Sequence, residues 1–439
     1  MKRADIYYFS LTDEMTRGEK LAWFESTKFE DIPFDRITPD EKHNWINLTD
    51  NDFDQLLPLI DKQVKAGKSE KAIFQLFSRG VATQRDEWVY DFSRENLENK
   101  VRYMIKAYTH RLKAGERLDL DIKWDCETEK YLTRNISKKF KKDNIRLSLY
   151  RFFTKDFLYF DRHFNGRVYQ NFNIYPSKDE KNYLIGFMGQ PEAKPFAVIA
   201  TDLIPDLNCI SPASGGTQCL PLYRYNPEGD REDNITDWGQ QQIQTHYNDP
   251  TITKPDIFHY TYAILHHPAY RQKYEINLKR DFPRLPLYEN FHQWKTWGEQ
   301  LIDWHINYET IPPHGLQRLE IDYSKKPKPT QKNQPKAKLK ADPVNGQIIL
   351  DTETTLTGIP PIAWDYKLGN RSAIEWVLDQ HKEKTPKDPT IRELFNTYRF
   401  IDYKEQVIDL LDRVCTVSVR TMELIAQMPD TAPHQTKPH

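Results

Sequence analysis

Residues 255–309 constrain the fold of this chain more than any other stretch, because apolar side chains recur in them at helical spacing and prolines divide them. Asp256 is expected to cap a first helix, which ends at His267-Pro268 because the residue before a proline is disfavoured in helices. A second helix is predicted over 269–280. A third follows a turn with two prolines and carries Phe291, Trp294, Leu301 and Trp304. The stretch therefore predicts a run of amphipathic helices.

The remaining patterns predict an α+β fold with a helical N-terminal lobe, a mixed β-sheet central lobe and a helical C-terminal lobe. Residues 1–120 begin with a strand at 6–11 and are otherwise mainly helical. Their helices are expected at 13–27, 50–66, 69–79 and 94–114. Residues 121–323 form an α+β core that includes the helical run 255–309, since short β-rich segments between turn clusters predict a mixed sheet.

The C-terminal part has a different composition. Residues 324–342 are rich in lysine and proline, which predicts a solvated, mobile linker. The chain folds again in a C-terminal α/β lobe at 343–430, and 431–439 form a frayed tail. Within that lobe we expect one strand at 347–351 and helices at 372–380 and 404–428.

Charge is unevenly distributed along a chain whose formal net charge is −1. Residues 134–167 hold ten basic and three acidic side chains, and 325–340 hold seven lysines and no acid. Basic segments on an acidic body suit a partner that carries phosphates, although a solvated face and a linker would give the same composition. The four cysteines lie far apart without CxxC spacing, so we expect reduced thiols and no zinc site.

No apolar run of about 18 residues is present, which predicts no membrane span. The polar N-terminus does not resemble a signal peptide, and a cytoplasmic location is expected. Gly67-Lys68-Ser69 is not a phosphate-binding loop, since Lys62 stands where its first glycine belongs. Neither Pro-Pro pair, at 312–313 or 360–361, has the preceding Asn or Asp and following aromatic of an adenine methyltransferase. Methyl transfer and ATP hydrolysis are therefore not expected of this chain alone.

Recognition chemistry remains, because basic and aromatic side chains alternate along 146–167 and a polar loop spans 78–86. Guanidinium groups grip phosphates or bind guanine edges, and amides bind adenine. The candidate DNA-binding residues are Arg79, Thr83, Arg85, Arg146, Arg151, Lys155, Arg162, Arg167, Gln218 and Arg224. Structural alternatives exist: an ion pair of Arg85 with Asp86, a turn role for Gln218, and a helix-cap position for Asn370.

Several segments, taken in their order along the chain, resemble segments of one protein family. They include ADIYYFSLTDEMTRGEKLAWF (4–24), SLYRFFTKDFLYFD (148–161), PDIFHYTYAILHHPAYRQKYE (255–275) and AWDYKLGNRSAIEWVLDQH (363–381). The amino-acid sequences of these segments and their order along the chain resemble the C-terminal specificity region of type ISP restriction-modification enzymes. These enzymes join a nuclease, a DNA translocase, an adenine methyltransferase and a DNA-reading domain. Phe152-Phe153 departs from the arginine, proline and aromatic pattern that the resemblance leads us to expect.

The resemblance implies a sequence-specific recognition module for double-stranded DNA, without catalytic or metal-binding residues of its own. It implies methyltransferase and translocase–nuclease domains or subunits as partners, with S-adenosylmethionine, ATP and Mg²⁺ bound there, and neither a membrane nor a small-molecule substrate. The strand at 6–11 is then expected to be an unpaired edge that joins the methyltransferase sheet. Two alternatives stay open: a metal-dependent nuclease using Asp351 and Glu353, and a docking scaffold that does not bind DNA.

Overall fold

The computed structural model describes residues 4–12, 14–39, 45, 49, 51–114, 122, 124–210, 215–321 and 334–430. It has the α+β class expected from the sequence, with helices and several small sheets. The part of the predicted linker at 324–333 and the predicted tail at 431–439 lie outside the described residues. In the described part, no helix is both long and apolar enough to cross a membrane.

The N-terminal elements, in chain order, are β1 (Ile6–Tyr8), α1 (Arg17–Ser26), β2 (Asp35–Ile37), β3 (Leu57–Pro58), α2 (Lys62–Lys65), β4 (Ser78–Arg79), α3 (Asp86–Val89), β5 (Tyr90–Asp91) and α4 (Arg94–Ala114). The helices expected at 13–27 and 94–114 are thus confirmed, as α1 and α4. Those expected at 50–66 and 69–79 are wrong. Among the described residues of these ranges the α-helix is limited to Lys62–Lys65, and other parts bond to distant backbone, as when Gln75 N–H donates to Asn234 O at 2.8 Å.

The central elements are α5 (Cys126–Thr133), β6 (Ile145–Arg151), β7 (Thr154–Tyr159), α6 (Asn171–Ile174), β8 (Leu184–Met188), β9 (Val198–Thr201), β10 (Ile204–Pro205), β11 (Thr217–Pro221), β12 (Tyr223–Tyr225), β13 (Arg231–Asp233), α7 (Asp237–Tyr247), α8 (Lys254–His266), α9 (Pro268–Lys273), α10 (Glu275–Arg280), β14 (Arg284–Leu285), α11 (Phe291–Ile306) and β15 (Gln317–Glu320). One sheet has the order β10-β6-β7-β5, with β10 and β6 parallel, and another has the order β4-β11-β8-β9. The mixed sheet predicted for this region is confirmed.

The C-terminal elements are β16 (Ala337–Asp342), β17 (Gln347–Asp351), β18 (Thr354–Thr357), α12 (Pro361–Asp365), β19 (Lys367–Leu368), β20 (Arg371–Ser372), α13 (Ala373–Gln380), α14 (Pro389–Leu394) and α15 (Phe400–Ile425). Strands β15, β18, β17 and β16 form an antiparallel sheet in that order. The predicted linker is therefore wrong at its end, since 337–342 form an edge strand bonded to β17.

The helical run 255–309 is confirmed, but the single helix predicted over 269–280 is two short helices, α9 and α10, separated at Tyr274. Thr253, rather than Asp256, is the N-cap of α8, and Asp256 completes the capping box by accepting from Thr253 N–H at 2.9 Å. Helix α11 packs on α8 so closely that a Cβ at Gly298 would lie 1.8 Å from the carbonyl oxygen of His259. Glycine is therefore the residue that permits this helix contact.

Apolar clusters connect the lobes rather than filling each one separately. Phe53 and Phe74 pack in one buried cluster with the helical run 255–309 and with Leu424 and Met428 at the end of α15. A buried polar network also joins the run to its surroundings. His305 contacts the Tyr262 hydroxyl at 2.6 Å and the Thr421 hydroxyl at 2.9 Å. The run is thus the centre about which the rest of the fold is arranged.

The N-terminal unit, residues 4–12 and 14–39, packs very differently. Strand β1 pairs with β2, so the strand expected to be unpaired is paired along one edge within its own fold. Helix α1 has a complete capping box between Thr16 and Glu19, yet none of its residues is buried. Aromatic rings stack inside the unit, but it leaves Tyr7, Leu21, Phe24 and Phe29 exposed.

Candidate nucleic-acid interface

Strand pairing brings several predicted DNA-binding residues around one loop, 79–86. Arg79 in β4 lies opposite Gln218 in β11, and Ala82 pairs with Arg167 through two backbone hydrogen bonds of 2.8 and 2.9 Å. A Cβ at Gly80 would lie 2.4 Å from a backbone oxygen of the loop after β10, so glycine allows these loops to meet. Gln218 itself is buried within β11, and the turn role considered for it is wrong.

Two residues of this loop serve the fold. The Thr83 hydroxyl donates to Asp86, and the guanidinium of Arg85 donates to Asp125 and Thr128. The ion pair considered for Arg85 therefore exists, but with Asp125 rather than its neighbour Asp86. Burial opposes ionisation of Asp125, yet hydrogen bonds from Arg85 and Thr128 bring its pKa below the ordinary value.

Arg151 is held by carboxylates from other parts of the chain. Its Nη1 donates to Asp206 Oδ1 at 2.7 Å, and its guanidinium lies 3.7 Å from Asp86 and 3.8 Å from the centre of the Tyr150 ring. Burial would lower the pKa of Arg151, but the nearby carboxylates raise it above its ordinary value. Losing one partner would leave a buried charge uncompensated, so this residue has a structural role.

Lys155 and Arg224 are also paired. Lys155 lies 2.7 Å from Glu309, and Arg224 lies 2.8 Å from Glu232. Among the cations of 151–167, Arg151 and Lys155 are thus neutralised, although Asp156 and Asp161 are the acids of that stretch. The partners of these two cations come from distant segments of the chain. A contact of these side chains with DNA stays a prediction.

Arg146 is bound to backbone oxygens rather than to acids. Its Nη1 donates to Tyr175 O at 2.9 Å and to Ser177 O at 3.0 Å, and burial lowers its pKa. Arg162 and Arg167 are exposed, and within the described part of the chain neither forms an ion pair. Arg162 instead lies over the Phe172 ring at 4.3 Å. These last two are the candidates of segment 146–167 that remain available to an anion.

A cleft of about 330 Å³ lies between the β6–β7 turn and α13. Its charged lining residues are four cations and one carboxylate: Arg151, Lys194, Arg371, Lys384 and Asp379. Its other lining residues offer amide, hydroxyl or aromatic groups: Tyr150, Asn370, Trp376 and Gln380. Such a set can bind phosphate and form hydrogen bonds to base edges, whereas the Trp376 ring is buried and the Tyr150 ring is covered by Arg151.

The charge of this cleft is only partly compensated. Arg371 Nη1 lies 3.3 Å from Asp379, which also contacts Lys382 at 3.3 Å. Burial lowers the pKa of Lys384, and this lysine forms no ion pair with any described carboxylate. Of the four lining cations, Arg151 and Arg371 are thus paired with acids, while Lys194 and Lys384 form no ion pair with a described carboxylate. The cleft has a positive potential suited to an anionic ligand.

Sequence reasoning missed most of this cleft. Asn370 and Arg371 were noticed only as a helix-cap region, and Ser372 is indeed the N-cap of α13. Lys194 and Lys384 lie in segments without any basic run, so no local pattern could find them. Their role depends on the packing of three distant chain segments.

The nuclease alternative is contradicted by the surroundings of Asp351. One of its carboxylate oxygens accepts from Glu353 N–H and Thr354 N–H, each at 2.8 Å, and the other is 2.8 Å from Lys404 Nζ. This carboxylate is buried and caps a strand-end turn. No cluster of three or more His, Cys, Asp or Glu side chains among the described residues could hold a metal ion.

Comparison with known proteins places these features in context. The chain is 45% identical to DrdV, whose DNA complex was solved by electron cryo-microscopy, with a TM-score of 0.83 over 98% of this chain and 44% of that chain. It is 30% identical to a nuclease-deletion mutant of the type ISP restriction-modification enzyme LlaGI in complex with a DNA substrate mimic. There the TM-score is 0.75, over 99% of this chain and 40% of that one.

A third similar structure is the ATP-dependent type ISP restriction-modification enzyme LlaBIII bound to DNA, at 27% identity and a TM-score of 0.74. That match covers 91% of this chain and 26% of LlaBIII. The chain thus spans less than half the length of each of these chains. No curated protein matches it significantly. The model of the type ISP C-terminal specificity domain matches residues 72–410, and the chain belongs to this family.

Proposed function

We propose that this chain is a sequence-specific recognition module for double-stranded DNA in a type ISP-like restriction-modification system. The observation that carries the proposal is its similarity over nearly its whole length to a chain solved in complex with DNA. The cationic cleft beside α13 supports it, because it offers both phosphate-binding and base-binding groups. A docking scaffold that does not bind DNA would have no use for such a cleft.

Adenine methylation and DNA cleavage lie with other domains or subunits in this proposal, and S-adenosylmethionine, ATP and Mg²⁺ bind there. The module acts in the cytoplasm, where its buried thiols Cys209, Cys219 and Cys415 stay reduced. Purified alone, it should transfer no methyl group to DNA and hydrolyse no ATP. Incorporation of labelled methyl from S-adenosylmethionine by the chain alone would contradict this division of labour.

The direct test is selection of bound duplexes from a random pool by the purified chain. We expect one short asymmetric sequence to be enriched. Binding should also weaken steeply with salt, with a log–log slope of roughly −0.9 for each phosphate contact. Retention of duplexes without any enriched sequence would contradict target recognition, and absence of retention at low salt would contradict DNA binding altogether.

The partner domains need a docking surface, and we propose that the N-terminal unit supplies it to the methyltransferase domain. The unit exposes Phe24 and Phe29, which are 71% and 80% accessible, and β1 is hydrogen-bonded along one edge by β2. Apolar patches and open strand edges are typical of surfaces that bind another protein domain.

A separately produced methyltransferase domain of a type ISP enzyme can test this docking by calorimetry. The double variant Phe24→Ser, Phe29→Ser should bind it at least tenfold more weakly than the unaltered chain. The control is Val344→Ser, since Val344 is 93% exposed but lies in the distant β16–β17 turn. Equal affinity of all three proteins would show that docking occurs elsewhere.

A further inference from the structure

A second basic cleft shares the loop after α13 with the first one, since Lys382 and Glu383 line the second cleft and Lys384 lines the first. Its volume is about 500 Å³, and it lies between the edge strand β16 and the start of α15. Lys336, Lys338, Lys382 and Arg399 line it together with one carboxylate, Glu383. That carboxylate accepts from Phe400 N–H at 2.9 Å, and Lys382 lies 3.3 Å from Asp379, so Lys336, Lys338 and Arg399 are the lining cations without an ion pair among the described residues.

Strand β16, which carries Lys338 and directly follows Lys336, is distorted. The register of β16 against β17 shifts between Ala337 and Lys340, and Leu339 has a φ of 45°. This left-handed conformation is unfavourable for a branched residue and is retained only where packing enforces it. Leu339 is buried in the apolar cluster beneath the strand, so it anchors the bulge. A bulge changes the direction in which neighbouring side chains point, and here these side chains are the lysines that line the cleft.

Lysine on an edge strand has a simpler explanation, since charge there discourages pairing with other strands. That explanation covers Lys336, Lys338 and Lys340 but not the cations that reach the same cleft from other elements. Lys382 comes from the loop after α13, and Arg399 comes from the start of α15. Convergence of three elements indicates a site for an anion rather than a protected edge.

The two clefts are continuous along the chain, because Lys382 lines one and Lys384, two residues later, lines the other. The described lining of both clefts holds eight cations and two carboxylates, and of these cations Arg151 is paired with Asp206 while Arg371 and Lys382 share Asp379. We propose that they form one phosphate track, from Lys194 to Lys338, along which the backbone of duplex DNA lies. The inference rests on the proposed function and deepens it, since it assigns phosphate positioning to residues outside segment 146–167.

The consequence is a division between affinity and specificity. Contacts to phosphate hold a duplex in register without sensing its sequence, and each contact releases counterions. The lysines of the second cleft should therefore contribute equally to binding of all duplexes. Asn370 and other side chains of the first cleft also offer groups that distinguish bases. Removing first-cleft side chains should therefore change the preferred sequence, whereas removing second-cleft lysines should weaken binding to all duplexes alike.

The test is DNA binding by the full chain with Lys336→Gln, Lys338→Gln and Lys382→Gln combined. We expect at least tenfold weaker binding to every duplex, and a log–log salt slope shallower by roughly 2 to 3, since each lost contact removes about 0.9. The sequence enriched from a random pool should be unchanged. The matched control replaces Lys62, Lys68 and Lys71 by glutamine, because these exposed lysines line neither cleft.

The possible results distinguish failure of the phosphate track from failure of the proposed function. If the triple variant unfolds at the same temperature as the unaltered chain and binds duplexes with unchanged affinity and slope, the track is wrong while DNA recognition stands. If the unaltered chain binds no duplex at low salt, both fail. Tighter binding of polyglutamate than of duplex DNA, lost in the triple variant, would assign the track to an acidic protein segment and overturn it.

Discussion

The helical run 255–309 and the N-terminal unit are both rich in aromatic residues, yet one is the centre of the fold and the other lies at its surface. In α8 nearly every side chain is buried, and α11 packs on it through Gly298. In α1 none is buried, although the helix has a complete capping box. Local signals thus form both helices, and only the surrounding chain decides which one is covered. The aromatic side chains that the N-terminal unit leaves uncovered are the basis of the docking surface proposed above.

The largest difference between the two regions should appear when an aromatic side chain is removed. Trp294, at 2% exposure, packs between α8 and the chain before α11, and Trp294→Ala should lower the free energy of unfolding by about 3–5 kcal/mol. Phe24→Ala should change it by less than about 0.5 kcal/mol. Urea unfolding measures both. Comparable losses in the two variants would show that the N-terminal unit is covered by its own chain.

A smaller effect is expected from adding a methyl group at a glycine of each region. Gly298→Ala would place its Cβ against the His259 carbonyl, and overpacking of this kind costs about 1–3 kcal/mol. Gly18→Ala meets no atom within 4 Å and should be neutral or stabilise α1 by up to about 1 kcal/mol. Thermal unfolding measures the stability of both variants. A Gly298→Ala protein as stable as the unaltered chain would contradict the close contact between α8 and α11.

The smallest effect concerns pH, and one source of it is His305 in the helical run. Burial, with Arg271 nearby, lowers the pKa of His305 from 6.5 to about 3 in the folded chain. As pH falls below 6.5 the unfolded chain takes up a proton that the folded chain does not, so stability decreases. The loss for one such histidine is roughly 1 kcal/mol between pH 7 and pH 5.5.

The His305→Asn variant checks this, because it should be less stable at pH 7 but lose less of its remaining stability on acidification. Residues 4–39 contain no histidine, so the N-terminal unit should not share the effect. An unchanged dependence of unfolding free energy on pH in the variant would show that His305 is protonated to the same extent in both states.

The same contrast explains what could be predicted from the sequence. The helical run was predictable because its apolar spacing and prolines are local signals. The stretch 50–79 was not, because polar, helix-compatible residues there are extended by hydrogen bonds to distant strands and loops. The basic segment 146–167 was correctly recognised as unusual, but the acids that pair with Arg151 and Lys155 are Asp206 and Glu309. Local charge counts cannot detect such partners.

The packing of α15 against the earliest part of the core has a consequence for how the protein is made. Leu424 and Met428 complete the cluster that contains Phe53 and Phe74, and His267 Nε2 lies 2.8 Å from Pro429 O. Chains emerge from the ribosome at about 5–20 residues per second, so the apolar faces of 53–77 and of the helical run wait many seconds for this helix. The nascent chain therefore cannot complete this buried cluster until α15 has been synthesised.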